Sequence, residues 1–528
     1  MYKYYILLRS YPSTTLGTNG WLGLPITSLL CPRWLMAKFG TKRKNLNQFI
    51  KKLVWFCIAT QITNHRVILA SKTVYTPRAS IENSALAFSL TNYEKYDNYF
   101  TNSNHKHSKT YLRATPFFQK STHEKNISPF FLPGNKTAIT IAEDGSGDIN
   151  SLWLSVTAPK HELYSSTLTF YPERSIVGGL FEYNQDLSCI FTGLWFDIKI
   201  AIAHAEHDLN AQENITGSKG EVAGSYSALE FLESTALKYG KISSKKQSRN
   251  GIDGLFIQLG GNLIESNRSH IDIYGSVAAP VDNSIEACYL FAPLVGRGKH
   301  TGLGAGINAG KSYGSHNNHA FNLSTDLFYE YLLEANELRS FDLKNNGDWS
   351  RYLKLVTADH AEIGFPAIHI FTQPLSVTPG SRVNWWTAAH YAHTSWHAEI
   401  GYNLWWKQAE KVDVSSSITI PYFAAIQDLG AFLTGKEFLS ASTATISQGI
   451  QAITSDAELI TLSDDDFDLC SATQESATSN TIYATIGYEL PCIRNCPVLC
   501  GLAGSYEFFN TDTILNNYTL WAHLILSF

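Results

Sequence analysis

Residues 320–334 read AFNLSTDLFYEYLLE, and this stretch decides the fold. Apolar side chains recur at every second position, and polar side chains occupy most of the positions between them. The apolar set is Phe321, Leu323, Leu327, Tyr329, Tyr331 and Leu333, and the polar set is Asn322, Ser324, Asp326, Glu330 and Glu334. Because successive side chains of a β-strand point to opposite faces, the pattern predicts a strand with one apolar and one polar face.

The same alternation recurs through residues 151–528. Several stretches reach about ten residues, the length that a tilted strand needs to cross a bilayer, whereas strands of globular sheets average about five or six. The sequence therefore predicts about 12 to 16 strands, and closure into a barrel favours an even number. The further candidate strands are residues 152–157, 163–171, 176–184, 194–204, 255–265, 269–277, 383–392, 396–407, 482–490 and 499–510.

Composition excludes two classes of protein. Charged residues make up 16% of the chain and aromatic residues 13%, against a usual charged share of about 25%. The formal net charge of -5 gives no basic surface for nucleic acid, so that partner is not expected. The sequence contains no apolar run of about 18 residues, which argues against a bundle of membrane helices.

Three regions depart from the strand pattern. Residues 71–150 are polar with short apolar patches, and we expect a linker or loosely ordered N-terminal segment there. Residues 225–240 have the apolar spacing of a short helix. Residues 428–480 are rich in Ser, Thr, Gln and Asp and predict a long loop between strands.

The N-terminal region has the features of an export signal. Six basic residues between Lys38 and Lys52 precede the apolar stretch 53–62, and small residues lie within it at Ala59 and after it at Ala70. This order predicts a secretory signal peptide over residues 36–70, cleaved after Ala59 or Ala70; an internal helix is the alternative. Residues 1–35 have no place in such a signal, which predicts that translation begins at Met36.

The cysteines near the C-terminus raise the question of a disulfide. Cys492, Cys496 and Cys500 are spaced three residues apart, but Pro491 and Pro497 interrupt any helix. A disulfide at a turn is favoured over metal binding, because the sequence contains no CxxC pair among them. Cys470 is a further possible partner.

The last strand, YTLWAHLILSF at residues 518–528, resembles the C-terminal signature of bacterial outer-membrane β-barrels. Apolar residues occupy every second position, and an aromatic residue ends the chain. The resemblance implies an all-β transmembrane antiparallel barrel over residues 151–528, exported to the outer membrane, in contact with its lipid and assembled by the barrel assembly machinery. The assembly signal would comprise Tyr518, Leu520, Leu524, Leu526 and Phe528.

The polar strand faces would then line the lumen. A porin-like passive channel for small hydrophilic solutes is the expected function, with a non-conducting surface structural or adhesion barrel as the alternative. An outer-membrane hydrolase is third; no GxSxG motif is present, and we expect no enzyme. The candidate lumen-lining residues are Asp326, Glu330, His397, Glu399, Glu489 and Glu507.

Two motifs suggest other sites. Residues 305–312, AGINAGKS, fit a relaxed phosphate-loop pattern, but a helix-forming sequence does not follow, so a strand is expected instead. Two His-rich stretches suggest zinc; we favour lumenal or loop histidines, with a hairpin turning near Thr394, and expect no metal and no cofactor. The His-rich stretches contain His204, Glu206, His207, Asp208, His390, His393, His397 and Glu399.

Overall fold

A computed structural model describes the chain from residue 71 onward, with gaps. All described residues lie in the unit that spans residues 64–528. The predicted signal peptide and residues 1–35 therefore lie outside the described residues. The described residues are 71–90, 110–122, 127–159, 162–220, 226–266, 268–280, 285–316, 319–357, 365–417, 420–426, 443–449, 460–493, 496–511 and 513–528.

Twelve long strands form one closed barrel. In chain order they are β1 (Tyr111–Thr122), β2 (Glu173–Asp186), β3 (Leu194–Asp208), β4 (Gln247–Ser266), β5 (Ser269–Ala279), β6 (Gly302–His316), β7 (His319–Leu332), β8 (Gly380–His393), β9 (Trp396–Lys407), β10 (Ala477–Ile493), β11 (Cys496–Phe509) and β12 (Asn516–Ser527).

Each barrel strand pairs antiparallel with the strands before and after it, and β1 pairs with β12 to close the sheet. Tyr111 lies opposite Ser527, and Thr122 lies opposite Asn516. Closure leaves no open sheet edge, so the barrel strands pair their backbone groups internally, as a strand in hydrocarbon requires. The predicted closed antiparallel barrel is confirmed, at the lower end of the expected strand number.

Alternation divides each strand between the outside and the lumen. On β7, Leu327 is 47% exposed on the outer surface, whereas its neighbour Asp326 is 1% exposed and faces inward. On β12, Leu520 and Leu524 face outward, whereas Trp521 and Ile525 are buried. The apolar face of the opening sequence is therefore the outer surface of the barrel.

The connections differ between the two ends of the barrel. At one end, which we call the short-turn end, two to seven residues separate consecutive strands. At the other end, the described residues within 123–172, 209–246, 280–301, 333–379, 408–476 and 510–515 form what we call the loop cap.

The loop cap contains four small sheets and short helices. Their strands are Ala138–Ala142, Ile149–Asn150, Ser165–Thr169 and Gln212–Ile215; Ala335–Ser340, Thr372–Thr378 and Lys411–Val414; Asp342–Leu343 and Phe467–Asp468; and Lys354–Thr357, Phe365–Pro366, Ile420–Ile426 and Ile460–Leu462. The α-helices of the described residues are α1 (Ser84–Phe88), α2 (Ser128–Phe131) and α3 (Ala228–Glu233). The 3-10 helices are Ser80–Glu82, Pro133–Asn135, Ser151–Leu154, Ser350–Tyr352, Ala367–His369, Asp464–Asp466 and Leu469–Ala472.

An apolar core holds the loop cap together. Its fully buried side chains include Phe130, Trp153, Trp349, Phe371 and Ile368. Trp349 donates from Nε1 to the Phe131 carbonyl oxygen at 2.8 Å, which satisfies the polar atom of a buried indole. The long connections are therefore a folded layer over one end of the barrel. Among the described residues, no helix is long and apolar enough to cross a membrane.

The predicted boundary of the barrel was wrong. Residues 71–150 include β1 and the strand Ala138–Ala142, so the barrel begins at Tyr111 and not at residue 151. Pro116 lies within β1, and proline in a run of residues argues against a paired strand because it lacks a backbone donor. Residues 152–157, predicted as a strand, begin instead within the 3-10 helix Ser151–Leu154.

Other local expectations have mixed outcomes. The short helix predicted within residues 225–240 is confirmed as α3, capped by the Ser227 side chain. The loop predicted at residues 428–480 lies partly outside the described residues, and its last residues already belong to β10. The predicted turn disulfide was wrong for the described cysteines, because Cys470, Cys496 and Cys500 are free thiols.

Candidate functional site in the barrel lumen

The lumen contains part of the chain itself. Residues 71–90, which we call the lumen segment, run from the loop cap to the short-turn end and include α1 and the 3-10 helix Ser80–Glu82. The Asn83 side chain accepts a hydrogen bond from the Ala85 amide at 3.1 Å and so begins α1. Most side chains of the segment are buried.

The first residues of the lumen segment are bound to the loop cap. The Ser71 amide donates to Asp348 Oδ1 at 3.1 Å, and the Thr73 amide donates to the Ser471 carbonyl oxygen at 3.0 Å. The Thr76 amide donates to Gln474 Oε1 at 3.1 Å. These bonds fix where the segment enters the barrel.

A buried ion pair holds the middle of the lumen segment to the wall. Arg78 Nη1 lies 2.7 Å from Glu507 Oε1 on β11, and Arg78 Nη2 donates to Asn403 Oδ1 on β9 at 2.7 Å. Both charged side chains are at most 3% exposed. A buried charge needs such partners, because removing one of them costs about 3–5 kcal/mol.

A second charged cluster centres on Glu82. Its carboxylate is paired with Arg297 at 2.8 Å and with Arg382 of β8. Arg297 is also paired with Glu330 of β7. The Ile81 amide nearby donates to Asp253 Oδ2 on β4 at 2.8 Å. The segment is therefore bound to several sides of the wall.

The last residue of the lumen segment fits a socket in the wall. Leu90 has a φ of 63° and is fully buried. A Cβ atom at Gly487 would lie 2.9 Å from Leu90 Cδ1, and one at Gly501 would lie 2.8 Å from it. The Leu90 amide donates to Glu399 Oε2 at 3.3 Å. Two missing side chains on β10 and β11 thus make room for this leucine.

Hydrogen bonds to β12 complete this end of the segment. Ser89 Oγ lies 2.7 Å from His523 Nε2 and accepts a hydrogen bond from Trp521 Nε1 at 3.2 Å. The other His523 ring nitrogen lies 3.1 Å from Thr115 Oγ1 on β1. The segment therefore contacts β12 directly and is linked to β1 through His523.

A small cavity remains beside the lumen segment. Its volume is about 50 Å³. Aromatic rings and charged groups line it together. They include Phe88, Phe256, Tyr274, Phe328, Lys199 and Glu330. Space of this size holds a few water molecules and not a column of water across the barrel.

The structure places the sequence-derived lumen candidates on inward faces of the wall. Asp326 accepts hydrogen bonds from Tyr274 Oη at 2.9 Å and Asn308 Nδ2 at 3.2 Å. Glu399 accepts from Tyr483 Oη at 2.6 Å. Glu330 and Glu507 form the ion pairs described above. Their role in permeation stays a prediction.

The two remaining candidates lie near the short-turn end. His397 is 1% exposed, and its Nδ1 atom lies 3.2 Å from His390 Nε2. Its Nε2 atom lies 4.0 Å from Glu489, whose side chain is 32% exposed. Glu489 is therefore at the edge of the lumen, and its position is less enclosed than that of the other candidates.

Sequence reasoning missed several buried charges. Arg113 of β1 lies 2.6 Å from Glu182 of β2, and Lys199 of β3 lies 3.5 Å from the same carboxylate. Glu182 and Lys199 lie within predicted strands, at positions that the alternating pattern assigns to the inward face. The sequence pattern was therefore sufficient to identify them as lumen residues. Arg78 and Glu82 lay in a presumed linker and had no such signal.

The phosphate-loop motif is part of β6, as expected, and its glycines face the lumen. A Cβ atom at Gly306 would lie 2.3 Å from Tyr274 Cζ. Bulky rings from the neighbouring strands fill the space above these glycines. The motif therefore packs the wall.

The His-rich stretches do not assemble a metal centre. Among the residues that the structure describes, no group of three or more His, Cys, Asp or Glu side chains could hold a metal ion. His204 faces outward beside Asn250, at 2.6 Å. The predicted hairpin near Thr394 is confirmed, since His393 lies opposite Trp396 across the turn.

The residues of the proposed assembly signal lie on the outer face of β12 and at its end. Leu520 and Leu524 are exposed, and Phe528 is 48% exposed. The Phe528 amide donates to the Thr110 carbonyl oxygen at 3.0 Å. Tyr518 and Leu526 share the outward parity. Recognition by an assembly machinery stays a prediction.

Charged groups of the loop cap lie at the entrance of the lumen segment. Arg339 Nη1 donates to Glu410 Oε2 at 2.6 Å, and Arg339 Nη2 donates to Glu337 Oε2 at 2.6 Å. Burial raises the pKa of the Glu410 carboxyl, but the Arg339 guanidinium and the Lys407 ammonium outweigh burial, and the pKa is about 2. The Gln474 amide also donates to Glu410.

Twelve antiparallel strands, closed on themselves around a charged interior and with an apolar exterior, have the fold of a transmembrane β-barrel. The solved structures that resemble the chain are outer-membrane barrels. No protein-family model matches the sequence, and no curated protein matches it.

Three solved structures illustrate the resemblance. An outer-membrane channel from Pseudomonas putida F1 is 8% identical with a TM-score of 0.33, over 79% of this chain and 95% of that one. The transport unit of the autotransporter AIDA-I from Escherichia coli is 10% identical with a TM-score of 0.27, over 86% and 99%. The Pseudomonas putida toluene transporter TodX is 7% identical with a TM-score of 0.25, over 87% and 95%. Likenesses this distant say nothing about the function of this chain.

Proposed function

We propose that the protein is an integral outer-membrane barrel, closed at rest by its own lumen segment, that conducts small hydrophilic solutes when the segment leaves the lumen. The occupied lumen is the observation that carries the proposal. A passive pore that stands open does not agree with the buried ion pair between Arg78 and Glu507. A gated channel agrees with both the filled lumen and its polar wall.

The exterior supports a place in a membrane. Outward positions on neighbouring strands carry large apolar side chains that no other part of the described chain covers. They include Phe181, Ile202, Leu259, Ile307, Leu327, Ile400, Ile486 and Leu502. A soluble protein rarely exposes so continuous an apolar surface, whereas lipid would cover it. An antiparallel barrel with an apolar outside suits the outer membrane, and the proposed export signal would deliver it there.

The charged interior supports a hydrophilic path. Wall residues such as Glu182, Asp326 and Glu507 are hydrogen-bonded or ion-paired within a filled lumen. When the segment leaves, water would take the place of its contacts and solvate the same groups. The proposal includes no catalytic activity.

A second candidate is a non-conducting barrel that displays the loop cap as a surface structure. The apolar core of the loop cap favours it, because flexible pore loops do not need a core of buried Trp and Phe side chains. In this candidate the lumen segment is a permanent structural element.

Conductance in a planar bilayer separates the two candidates. The refolded full-length protein is compared with a release variant carrying Arg78→Ala, Ile81→Ser and Leu90→Ser, which removes the ion pair and two apolar anchors. We expect rare openings for the unaltered protein and frequent steps for the release variant. Lys411→Ala, at an exposed cap residue, is the control and should behave as the unaltered protein.

A deletion of residues 71–90 tests the same point without relying on three substitutions. Heat-modifiable gel migration establishes that each variant forms a barrel. If folded barrels of both variants stay silent at every voltage, the channel proposal is overturned, and the surface barrel replaces it.

A further inference from the structure

We infer that the opened lumen selects for small cations over anions. The inference rests on the proposed function, since it names the class of solute that passes once the lumen segment has left. It comes from the charges of the wall, from their arrangement around the barrel, and from unpaired carboxylate oxygen at the cavity.

Carboxylates outnumber cations among the buried side chains of the barrel strands. The buried carboxylates are Glu182, Asp197, Asp253, Asp272, Asp326, Glu330, Glu399 and Glu507, and the buried lysines and arginines are Arg113, Arg174, Lys199 and Lys407. Arg382 on β8, whose side chain is 14% exposed, adds one cation, and Glu489 on β10, whose side chain is 32% exposed, adds one carboxylate. The inward face of the barrel wall therefore carries more carboxylates than lysines and arginines.

The two signs of charge occupy different parts of the wall. Strands β1, β2 and β3 carry Arg113, Arg174 and Lys199, of which Arg113 and Lys199 lie close to Glu182. The arc from β4 to β7 carries Asp253, Asp272, Asp326 and Glu330; in the described residues of that arc, no buried lysine or arginine accompanies them. The side of the lumen formed by β4 to β7, which we call the acidic arc, thus carries buried carboxylates and no buried lysine or arginine of its own in the part that the structure describes.

The acidic arc forms one side of the cavity, through Phe256, Tyr274, Phe328 and Glu330 on strands β4, β5 and β7. Lys199 of β3 and Arg382 of β8 line its flanks. The Glu330 side chain is 3% exposed, and its Oε1 atom accepts no hydrogen bond from the described residues. A buried acceptor without a donor indicates that a bound group, such as water or a cation, belongs beside it. This unpaired oxygen supports a cation at the cavity without relying on the count of charges.

Departure of the lumen segment increases the acidic surplus at β11. Glu507 is paired with Arg78, which belongs to the segment. Its remaining described partners are neutral: Ser479 Oγ donates at 2.6 Å, and Asn517 Nδ2 donates at 3.1 Å. Arg297 of the loop cap stays with Glu330 and neutralises part of the arc. Removing Arg78 therefore leaves the Glu507 carboxylate uncompensated, while the loss of Glu82 with the same segment leaves Arg382 of β8 uncompensated. The acidic surplus of the opened lumen thus comes from the other carboxylates of the wall.

Acidic pore walls favour cations by direct attraction and by excluding anions. At physiological ionic strength screening acts over about 8 Å, so a charge on the wall acts on an ion that passes within about that distance of it. Hydrated carboxylates have pKa values near 4, so they stay ionised at neutral pH once water enters. The acidic arc would then determine which ions pass.

Reversal potentials of the release variant in a KCl gradient test the inference. We expect a permeability ratio of K+ to Cl− clearly above one. Adding Asp326→Asn and Glu330→Gln to the release variant should move the ratio towards one. Glu206→Gln removes the same charge from the outer face of β3 and should leave the ratio unchanged.

The outcomes distinguish the two proposals. If the folded release variant does not conduct, the proposed function fails. If it conducts with a ratio at or below one, the function stands and the cation selectivity is overturned. Should the variant with both neutralised residues fail to fold, acidification of the release variant replaces it: the ratio must fall as the carboxylates become protonated, and a constant ratio overturns the inference.

Discussion

Gly306 shows how one absent side chain organises the wall. The Tyr274 ring crosses above it and places Oη 2.9 Å from Asp326 on β7. The same ring stacks on Phe328 with centroids 5.9 Å apart. The glycine on β6 therefore allows residues of β5 and β7 to meet inside the lumen.

Replacing Gly306 by Val should destabilise the barrel. The new Cβ would overlap a ring that Asp326 and Phe328 hold in place, and overpacking of this kind costs about 1–3 kcal/mol. We expect a lower temperature at which the heat-modifiable gel band shifts, and a lower yield of folded barrel.

Ala305→Val is the matched control for this residue, because Ala305 points outward on the same strand. It adds the same kind of side chain to the lipid-facing surface and should leave the transition in place. Equal effects of the two substitutions would contradict the account of the glycine.

At the scale of elements, the lumen segment depends on sockets as much as on charges. Leu90 occupies the space left by Gly487 and Gly501, and its full burial contributes about 1.5–3 kcal/mol. The socket lies at the short-turn end, far along the segment from Arg78. The two attachments can therefore be tested separately.

Gly487→Leu should expel Leu90 from its socket. The substituted side chain would take the same space, whereas the ion pair of Arg78 with Glu507 would remain. We expect faster tryptic cleavage after Arg78, which is 5% exposed when the segment is in place. Without the attachment at Leu90, the segment would leave the wall more often and expose Arg78 to trypsin.

Gly275→Leu provides the comparison, since a Cβ at Gly275 meets no atom within 4 Å. That variant should be cleaved at the rate of the unaltered protein. An unchanged cleavage rate for Gly487→Leu, in a barrel that still shows heat-modifiable migration, would contradict the socket.

The strands were predictable, and the lumen segment was not. Alternation in residues 320–334 reports which side of a wall each residue faces, so β7 and its inward Asp326 follow from local pattern. Ile81 and Leu90 are buried by strands that lie more than 150 residues away in the sequence. A local repeat of apolar residues cannot indicate such contacts. Pro116 hid β1 for a different reason, because it resembles a strand breaker.

At the scale of the whole molecule, the loop cap and the lumen are joined through Glu410. The carboxylate accepts from Arg339, from the Gln474 amide and, at 3.3 Å, from Thr76 Oγ1 of the lumen segment. Protonating Glu410 weakens each of these bonds. The state of this carboxyl therefore affects how firmly the segment is held at the loop cap.

Acid should loosen this junction. The folded-state pKa of Glu410 is about 2, below the ordinary value of 4.5, so its contribution is complete above about pH 4.5 and is lost as pH falls towards 2. The shift corresponds to about 3 kcal/mol. We expect weaker protection from hydrogen exchange, measured against the intrinsic exchange rate at each pH, at the Thr73 and Gln474 amides across that interval.

Glu410→Gln should remove the acid dependence and give fast exchange at neutral pH as well. Asp413→Asn alters a carboxylate of an exposed pair with Lys411 and serves as the control. Retention of the full pH dependence by Glu410→Gln would assign the effect to other carboxyls of the loop cap.

The contact between Ser89 and His523 joins residues 434 positions apart in the chain. Arg78 and Glu507 are 429 positions apart. Such distant partners delay folding, since the intervening chain must be ordered before they meet. We therefore expect the lumen segment to take its place late in folding, after β11 and β12 have been added to the wall and as β1 pairs with β12.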